Sequence, residues 1–365
     1  MTDVLCSFVI PVRNREHTIC YCLDSILCQA LVCNYEIIIV DDASTDNTKS
    51  IIRKIANSST NLRLSDFDFC AELPETLNLF SSITTQEELD IRARIKIISL
   101  NSNVGAAAAR NIGINNAIGK YLWFVDSDDF ISRDALSILT SLVFNNNFDV
   151  VKFAKQSLFL PSPPRSYRLL SSFQVPMLSH INDVSGLLFV LGHGAVWCSV
   201  FNREFVGKVR FNPDFEYSED SLFTWQTVLE AQNIAYLNYP LYGYMYTDGS
   251  LTSTKPFVRF KCYIEVVEEY LSAICSSSRS DEYKRILEKE CEKRLYCHVF
   301  YTYSYDEITQ EMWNMWYRVY KKVMVDNKLR PKYKRFISKV LYTIHFNKFF
   351  KIAFIIRYGK GVNCN

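Results

Sequence analysis

Glycine and proline are scarce in this chain, 11 and 10 among 365 residues, and net charge is nearly absent, with 41 Lys and Arg against 39 Asp and Glu. The first scarcity excludes a collagenous or low-complexity chain, and the near balance of charge argues against a protein that coats nucleic acid. No run of about 18 uninterrupted apolar residues occurs, so no membrane-spanning helix is expected. The N-terminal stretch lacks a basic region and its apolar run stops at Pro11, so no signal peptide is expected either. The twelve cysteines show no paired CxxC spacing, and several sit inside apolar runs. That pattern reads as reduced thiols in a cytosolic chain rather than a zinc site or a disulfide scaffold. None of the five histidines is assigned to catalysis.

Charge is balanced only in sum. From Arg318 to Lys360 thirteen Lys and Arg meet a single acid, Asp326, so this tail carries +12. Because the whole chain sums to +2, the remainder is negative by ten. Between Lys332 and Arg357 the basic residues interleave with Phe336, Ile337, Val340, Leu341, Ile344, Phe349 and Phe350. A cationic amphipathic helix of this kind lies in an anionic membrane interface, or packs its apolar face on the rest of the protein. No nucleic-acid-binding module accompanies the charge.

The first third alternates strand and helix. Leu5 to Pro11, Tyr35 to Val40, Ile95 to Leu100 and Tyr121 to Val125 are short apolar runs. Helical spacing fills Glu16 to Ala30, a stretch ending near Ala56, and Gly105 to Ile118. Strands without polar alternation, separated by helices, imply a parallel sheet covered on both faces. Residues 58–92 read as an insertion, Pro161, Pro163 and Pro164 mark a loop, and helical periodicity takes over after Pro256.

In such a sheet, ligands bind beyond the carboxyl ends of the strands. Those ends carry Arg13-Asn14, Asp41-Asp42, Asn101 to Asn103 and Asp126-Ser127-Asp128-Asp129. Three carboxylates within four residues repel one another unless a cation sits among them. Hard oxygen ligands suit Mg²⁺ or Mn²⁺. The same four residues would also cap the helix expected near Ser132, although one acid suffices for that. A second pair, Glu219-Asp220, precedes Leu222, Phe223 and Trp225, where acids would also complement a helix dipole.

The segments FVIPVRNRE, EIIIVDDASTDNT, NVGAAAARNIGINNAIGKYLWFVDSDD and YSEDSLFTW, in this order and spacing, resemble the family 2 glycosyltransferases. The resemblance covers about residues 5–252, the insertion aside. It implies an α/β protein with a GT-A type, Rossmann-like, mostly parallel sheet sandwiched by helices. The expected organisation is a catalytic domain over residues 1–255 and a helical, basic region over 256–365. The activity implied is inverting transfer from a nucleotide sugar, a UDP-sugar first of all, to a hydroxyl of a glycan or lipid-linked acceptor in surface polysaccharide synthesis. With the basic tail, the expected location is cytoplasmic, peripheral on the inner face of the membrane.

Residue by residue, the resemblance implies that Pro11, Val12, Arg13, Asn14 and Asp41 or Asp42 line the base and ribose. One of these aspartates would accept the uracil N3 hydrogen, with Glu16 assisting at the ribose. Arg110 and Asn111 would reach the nucleotide, Arg110 pairing with phosphate or with the acidic cluster. Asp126 and Ser127 would meet the donor, Asp128 would be the first metal ligand, and Asp126 would reach the ribose or share the Mn²⁺ or Mg²⁺. Asp129 would support them. Asp220, with Glu219 as the alternative, would take the acceptor's proton, and Trp197 would line the acceptor or sugar pocket. Where relatives often carry a basic residue after the second tyrosine of Tyr242-Gly243-Tyr244, this chain has Met245, with Lys255 and Arg259 nearby. Two rival readings are a metal-dependent nucleotidyltransferase, which would need a Gly-rich loop that Val12-Arg13-Asn14 does not supply, and a non-catalytic nucleotide-sugar-binding module.

Overall fold

A computed structural model describes residues 4–29, 32–57, 95–158, 177–180, 194–245, 256–302 and 309–325. The expected insertion, most of the proline-bearing loop, Lys255 and the basic segment 332–357 lie outside the described residues. The chain divides into two compact units. One comprises Met1–Asp183, Ala195–Asp214 and Ala231–Ser250; the other comprises Val184–Gly194, Phe215–Glu230 and Leu251–Asn365.

The first unit is built on a sheet whose central strands, β1 (Cys6–Val12) and β2 (Tyr35–Asp41), are buried at every position. Their near-continuous apolar runs can be buried this way because helices cover both faces. β3 (Ile95–Ser99) pairs with β2 and β4 (Tyr121–Phe124) with β1, all parallel. The connections carry α1 (Ile19–Leu27), α2 (Thr48–Asn57) and α3 (Gly105–Asn116). After β4 come β5 (Phe130–Ile131), α4 (Ala135–Leu139) with a following π turn, β6 (Val150–Leu158) and β7 (Leu178–His180). They are followed by β8 (Ser199–Asn202), the short α5 (Arg203–Val206) and β9 (Ile234–Met245).

The strand order is β3-β2-β1-β4-β8-β6-β9-β5, with β7 also on β9. β8 runs antiparallel to β4 and β6, whereas β6 and β9 are parallel. The parallel character expected for the sheet therefore belongs to its first four strands, and the rest is mixed. Strand order reverses between β1 and β4, which opens a crevice at their carboxyl ends. β4 ends early there, since Phe124 is the partner of Val9 and β1 continues to Val12. The residues after Phe124 are thereby released beside the last turn of β1.

α3 reaches that crevice by packing closely on β1. A Cβ on Gly113 would overlap the Val9 side chain, so only glycine allows the approach. Arg110 lies one turn earlier on the same helix and is buried with Gly113. At the opposite end of the sheet, the buried Glu36 accepts hydrogen bonds from Ser7 Oγ and from the Ile118 and Gly119 amides, tying β1, β2 and the start of β4 together.

The second unit contains α6 (Glu219–Glu230), α7 (Pro256–Ser276), α8 (Asp281–Thr302) and α9 (Gln310–Val325). α7 starts at Pro256, a residue that sacrifices no helical hydrogen bond in the first turn. Trp225 of α6 packs edge-on to Tyr263 and tilted against Tyr270, with the Arg294 guanidinium 5.4 Å from its ring centroid. Trp316 Nε1 donates to the Leu295 carbonyl at 3.1 Å, fastening α9 to α8. His298 stacks on Tyr263, and burial holds its imidazole neutral, pushing its pKa down to about 3. That is a packing role. Among the described residues no helix is long and apolar enough to cross a membrane.

Two outcomes follow from the first unit. Gly113→Ala should destabilise it by about 1–3 kcal/mol, the usual cost of overpacking, read as a lower urea midpoint at unchanged slope. Asp24 on α1 has its carboxyl pushed up to about 7 by burial. A raised carboxylate favours the fold only while protonated, so this contribution is full below the unfolded value of about 4 and lost as pH rises through about 7. Asp24→Asn should therefore match the unsubstituted protein at about pH 4 and exceed its urea midpoint at about pH 8. A difference independent of pH would contradict the assignment.

Candidate active site

The turn after β4 carries Asp126, Ser127, Asp128 and Asp129, and each carboxylate has a different environment. Asp126 Oδ1 accepts from Arg110 Nη2 at 2.8 Å, and the arginine side chain is only 6% exposed against 27% for the aspartate. Asp128 Oδ2 lies 3.3 Å from Arg15 Nη2, with side-chain exposures of 25% and 40%. Burial raises the Asp128 pKa, Arg15 opposes the shift and Asp126 adds to it. Asp129 is buried, and burial together with Asp128 and Asp126 raises its pKa well above the ordinary carboxylate value. Both of its oxygens are engaged: Tyr242 Oη donates to Oδ2 at 2.8 Å and the Met245 amide to Oδ1 at 2.8 Å.

The turn is held from two sides. On the α1 side, Thr18 Oγ1 donates to the Ser127 carbonyl at 3.1 Å and the Cys22 thiol to the Asp126 carbonyl at 3.6 Å. On the β9 side, the Asp126 amide donates to Tyr242 Oη at 3.1 Å. Ser127 itself is buried.

The two aspartates after β2 do different work. Asp42 accepts from the Val104 amide at 2.7 Å with Oδ1 and from the Gly105 amide at 2.9 Å with Oδ2, so both oxygens are used at the N-terminus of α3. Gly105 has φ +85°, a conformation a side chain would strain, and it shapes this cap. Asp41 Oδ1 accepts from the Ser44 amide at 3.2 Å, while Oδ2 is buried with no hydrogen-bond partner among the described residues. A buried carboxylate oxygen left unpaired is costly.

At the end of β1, Pro11 and Val12 are buried within the sheet, and Arg13 just beyond it is exposed. Asn14 takes φ +50°, and its Oδ1 accepts from the Thr45 amide at 2.9 Å. Glu16 Oε2 accepts from the Asn47 amide at 3.0 Å, next to Asp46, which caps α2 through the Thr48 amide. The β1 and β2 turns are thus stitched together. Asn111 pairs both ways with the backbone of Phe211, at 2.8 and 2.9 Å, which joins α3 to the segment after α5. Trp197 is 7% exposed and stacks on Tyr242 at 4.6 Å and Tyr244 at 5.4 Å between centroids. Lys155 Nζ lies 4.9 Å from the Trp197 ring and 5.1 Å from the Tyr244 ring. Met245 is buried, and its amide donates to Asp129 Oδ1.

Glu219 and Asp220 occupy the first turn of α6, in the second unit, directly after Ser218, whose φ is +63°. Asp220 Oδ1 accepts from the Ser221 amide at 2.7 Å. Arg259, the other basic residue near Met245 in sequence, also belongs to the second unit.

The first unit therefore gathers Arg15, Asp41, Arg110, Asp126 and Asp128 at the strand ends, whereas Asp42, Asn111 and Asp129 hold the scaffold. Arg15 was not singled out in the sequence. Arg13 and Arg15 flank Asn14, and the left-handed turn at Asn14 decides which of them reaches Asp128. Among the described residues no three His, Cys, Asp or Glu side chains are grouped to hold a metal by themselves. Asp126 and Asp128 nevertheless offer two part-exposed hard carboxylates, which fits a cation that draws its remaining ligands from substrate phosphates.

The family model described as Glycosyl transferase family 2 matches residues 7–68 and 81–210, more than half of the chain. The uncharacterized glycosyltransferase EpsJ of Bacillus subtilis (strain 168) is 28% identical over 257 residues, 68% of this chain and 63% of its own length. The UDP-Glc:alpha-D-GlcNAc-diphosphoundecaprenol beta-1,3-glucosyltransferase WfgD of Escherichia coli is 24% identical over 273 residues, 74% of this chain and 88% of its own. The chain spans 63%, 38% and 32% of the length of three curated relatives it matches. The crystal structure of S. aureus TarS 1–349 in complex with UDP-GlcNAc shares the fold, with a TM-score of 0.65 at 19% identity over 99% of this chain and 93% of that one.

The two arginines should differ in what they contribute. Arg110→Met leaves Asp126 facing a buried gap and should cost about 3 kcal/mol in chemical denaturation. Arg15→Met removes an exposed pair and should cost no more than about 1 kcal/mol. Equal losses would show that burial does not separate them.

Proposed function

The chain belongs to glycosyl transferase family 2, and from that premise we propose that it moves a sugar from a UDP-sugar to a hydroxyl of a glycan or lipid-linked acceptor in surface polysaccharide synthesis. The observation that carries the donor assignment is Asp41 Oδ2, a buried acceptor at the end of β2 with no partner among the described residues. The imide N3–H of uracil is a matching donor, whereas cytosine presents an acceptor at N3 and would be repelled. The relatives point the same way: WfgD is named for a UDP-Glc donor and a diphosphoundecaprenol-linked acceptor, and TarS has been crystallised with UDP and with UDP-GlcNAc.

In this reading Pro11, Val12, Arg13, Asn14 and Glu16 flank the nucleoside, while Arg15 and Arg110 supply positive charge near the diphosphate. Asp128, with Asp126, would hold a divalent cation, Mn²⁺ or Mg²⁺, which when bound neutralises charge on the departing diphosphate. Asp220, in the first turn of α6, takes the proton of the acceptor hydroxyl in a single inverting displacement. Glu219 is the alternative base, and Trp197 contributes to the sugar side through its aromatic stack. The basic segment 332–357 attaches the protein to the anionic inner face of the membrane, each basic residue contributing about 1 kcal/mol.

Thermal unfolding tests the donor site. UDP with Mn²⁺ at a hundred times its dissociation constant should stabilise by about 2.7 kcal/mol. CDP should do much less, and Asp41→Asn and Asp128→Asn should each abolish most of the shift. Asp220→Asn should retain it while losing sugar transfer. Equal stabilisation by UDP and CDP, or an undiminished shift in Asp41→Asn, would overturn the assignment.

A further inference from the structure

The Tyr242 hydroxyl sits at a junction between β9 and the acidic turn. It accepts from the Asp126 amide at 3.1 Å and donates to Asp129 Oδ2 at 2.8 Å, so a single oxygen closes the first and last residues of the acidic turn onto β9. Its ring is fully buried and stacked on Trp197, whose own carbonyl accepts from Trp123 Nε1 at 3.0 Å. Gly243, the next residue, lies so close to Phe130 that a Cβ there would overlap the ring, and β9 pairs with β5 at this point. The hydroxyl thereby bonds the Asp126 amide and the Asp129 carboxylate at once.

We propose that Tyr242 is a positioning residue for the donor site: by gripping both ends of the turn 126–129 it sets where the Asp126 and Asp128 carboxylates stand. This inference rests on the donor reading above. Partners that orient ligating carboxylates in this manner typically change metal affinity by about 10- to 100-fold when removed. A role confined to packing would instead appear as lost stability with binding intact.

The test compares Tyr242→Phe with Tyr121→Phe. Tyr121 Oη donates to the Asn146 carbonyl at 2.7 Å, near the other end of β4, so its loss removes one comparable hydrogen bond away from the acidic turn. Calorimetric titration with Mn²⁺ and UDP should show both bound about tenfold or more weakly by Tyr242→Phe, and with unchanged affinity by Tyr121→Phe, although both variants lose stability. Should Tyr242→Phe fail to fold, Asp129→Asn reads the same link, since it keeps one acceptor but not both, and the same weakening is expected. Unchanged Mn²⁺ and UDP affinities in Tyr242→Phe, or in Asp129→Asn where that variant stands in, would overturn the positioning role. If the unsubstituted protein binds no UDP, the donor reading itself fails and this inference falls with it.

Discussion

Everything at the candidate site follows from one electrostatic constraint: three carboxylates must be kept within four residues at the end of a buried strand. Like charges this close disfavour their own ionisation, and burial adds to the cost, as the raised pKa values of Asp128 and Asp129 show. The fold meets the cost differently for each. Asp126 receives a buried guanidinium from α3, Asp128 a more exposed one from the turn after β1, and Asp129 two neutral donors from β9. The first two stay part-exposed, whereas Asp129 is buried.

That division explains distant features. Arg110 arrives at Asp126 because Gly113 lets α3 lie on Val9, so a missing methyl group on a helix sets the charge balance of the site. Asp42 takes the Val104 and Gly105 amides and anchors the start of the same helix, which leaves Asp41 as the acidic residue of β2 with an oxygen to spare. Adjacent aspartates of similar burial thus separate into one whose oxygens are both engaged by amides and one with a buried oxygen that has no hydrogen-bond partner among the described residues. The separation comes from the backbone, where side chains of successive residues leave a strand in opposite directions.

Much of the architecture was legible in the linear pattern. Unbroken apolar runs alternating with helical periodicity marked β1, β2, β3 and β4 to within a residue or two, and topology then placed Asp41 and Asp126 at one edge. The mixed half of the sheet was not legible. Whether a strand runs parallel or antiparallel to its neighbour is not written in its own residues. The helix bearing Glu219 and Asp220 was recognisable by its acids, yet its association with the C-terminal helices, through the packing of Trp225 against Tyr263, Tyr270 and Arg294, was not.

By itself the sequence determined the presence of the parallel half-sheet, the acidic turn at its edge and the family to which those motifs point, because periodicity and local spacing are properties of neighbours along the chain. Tertiary structure decided which partners those polar residues take. Arg15 rather than Arg13 meets Asp128, Asn111 is spent on the Phe211 backbone, and Tyr242 grips the acidic turn from a strand more than a hundred residues away. Such pairings depend on distances in space set by close packing and by the direction in which each turn releases the chain, and neither is encoded within any single segment.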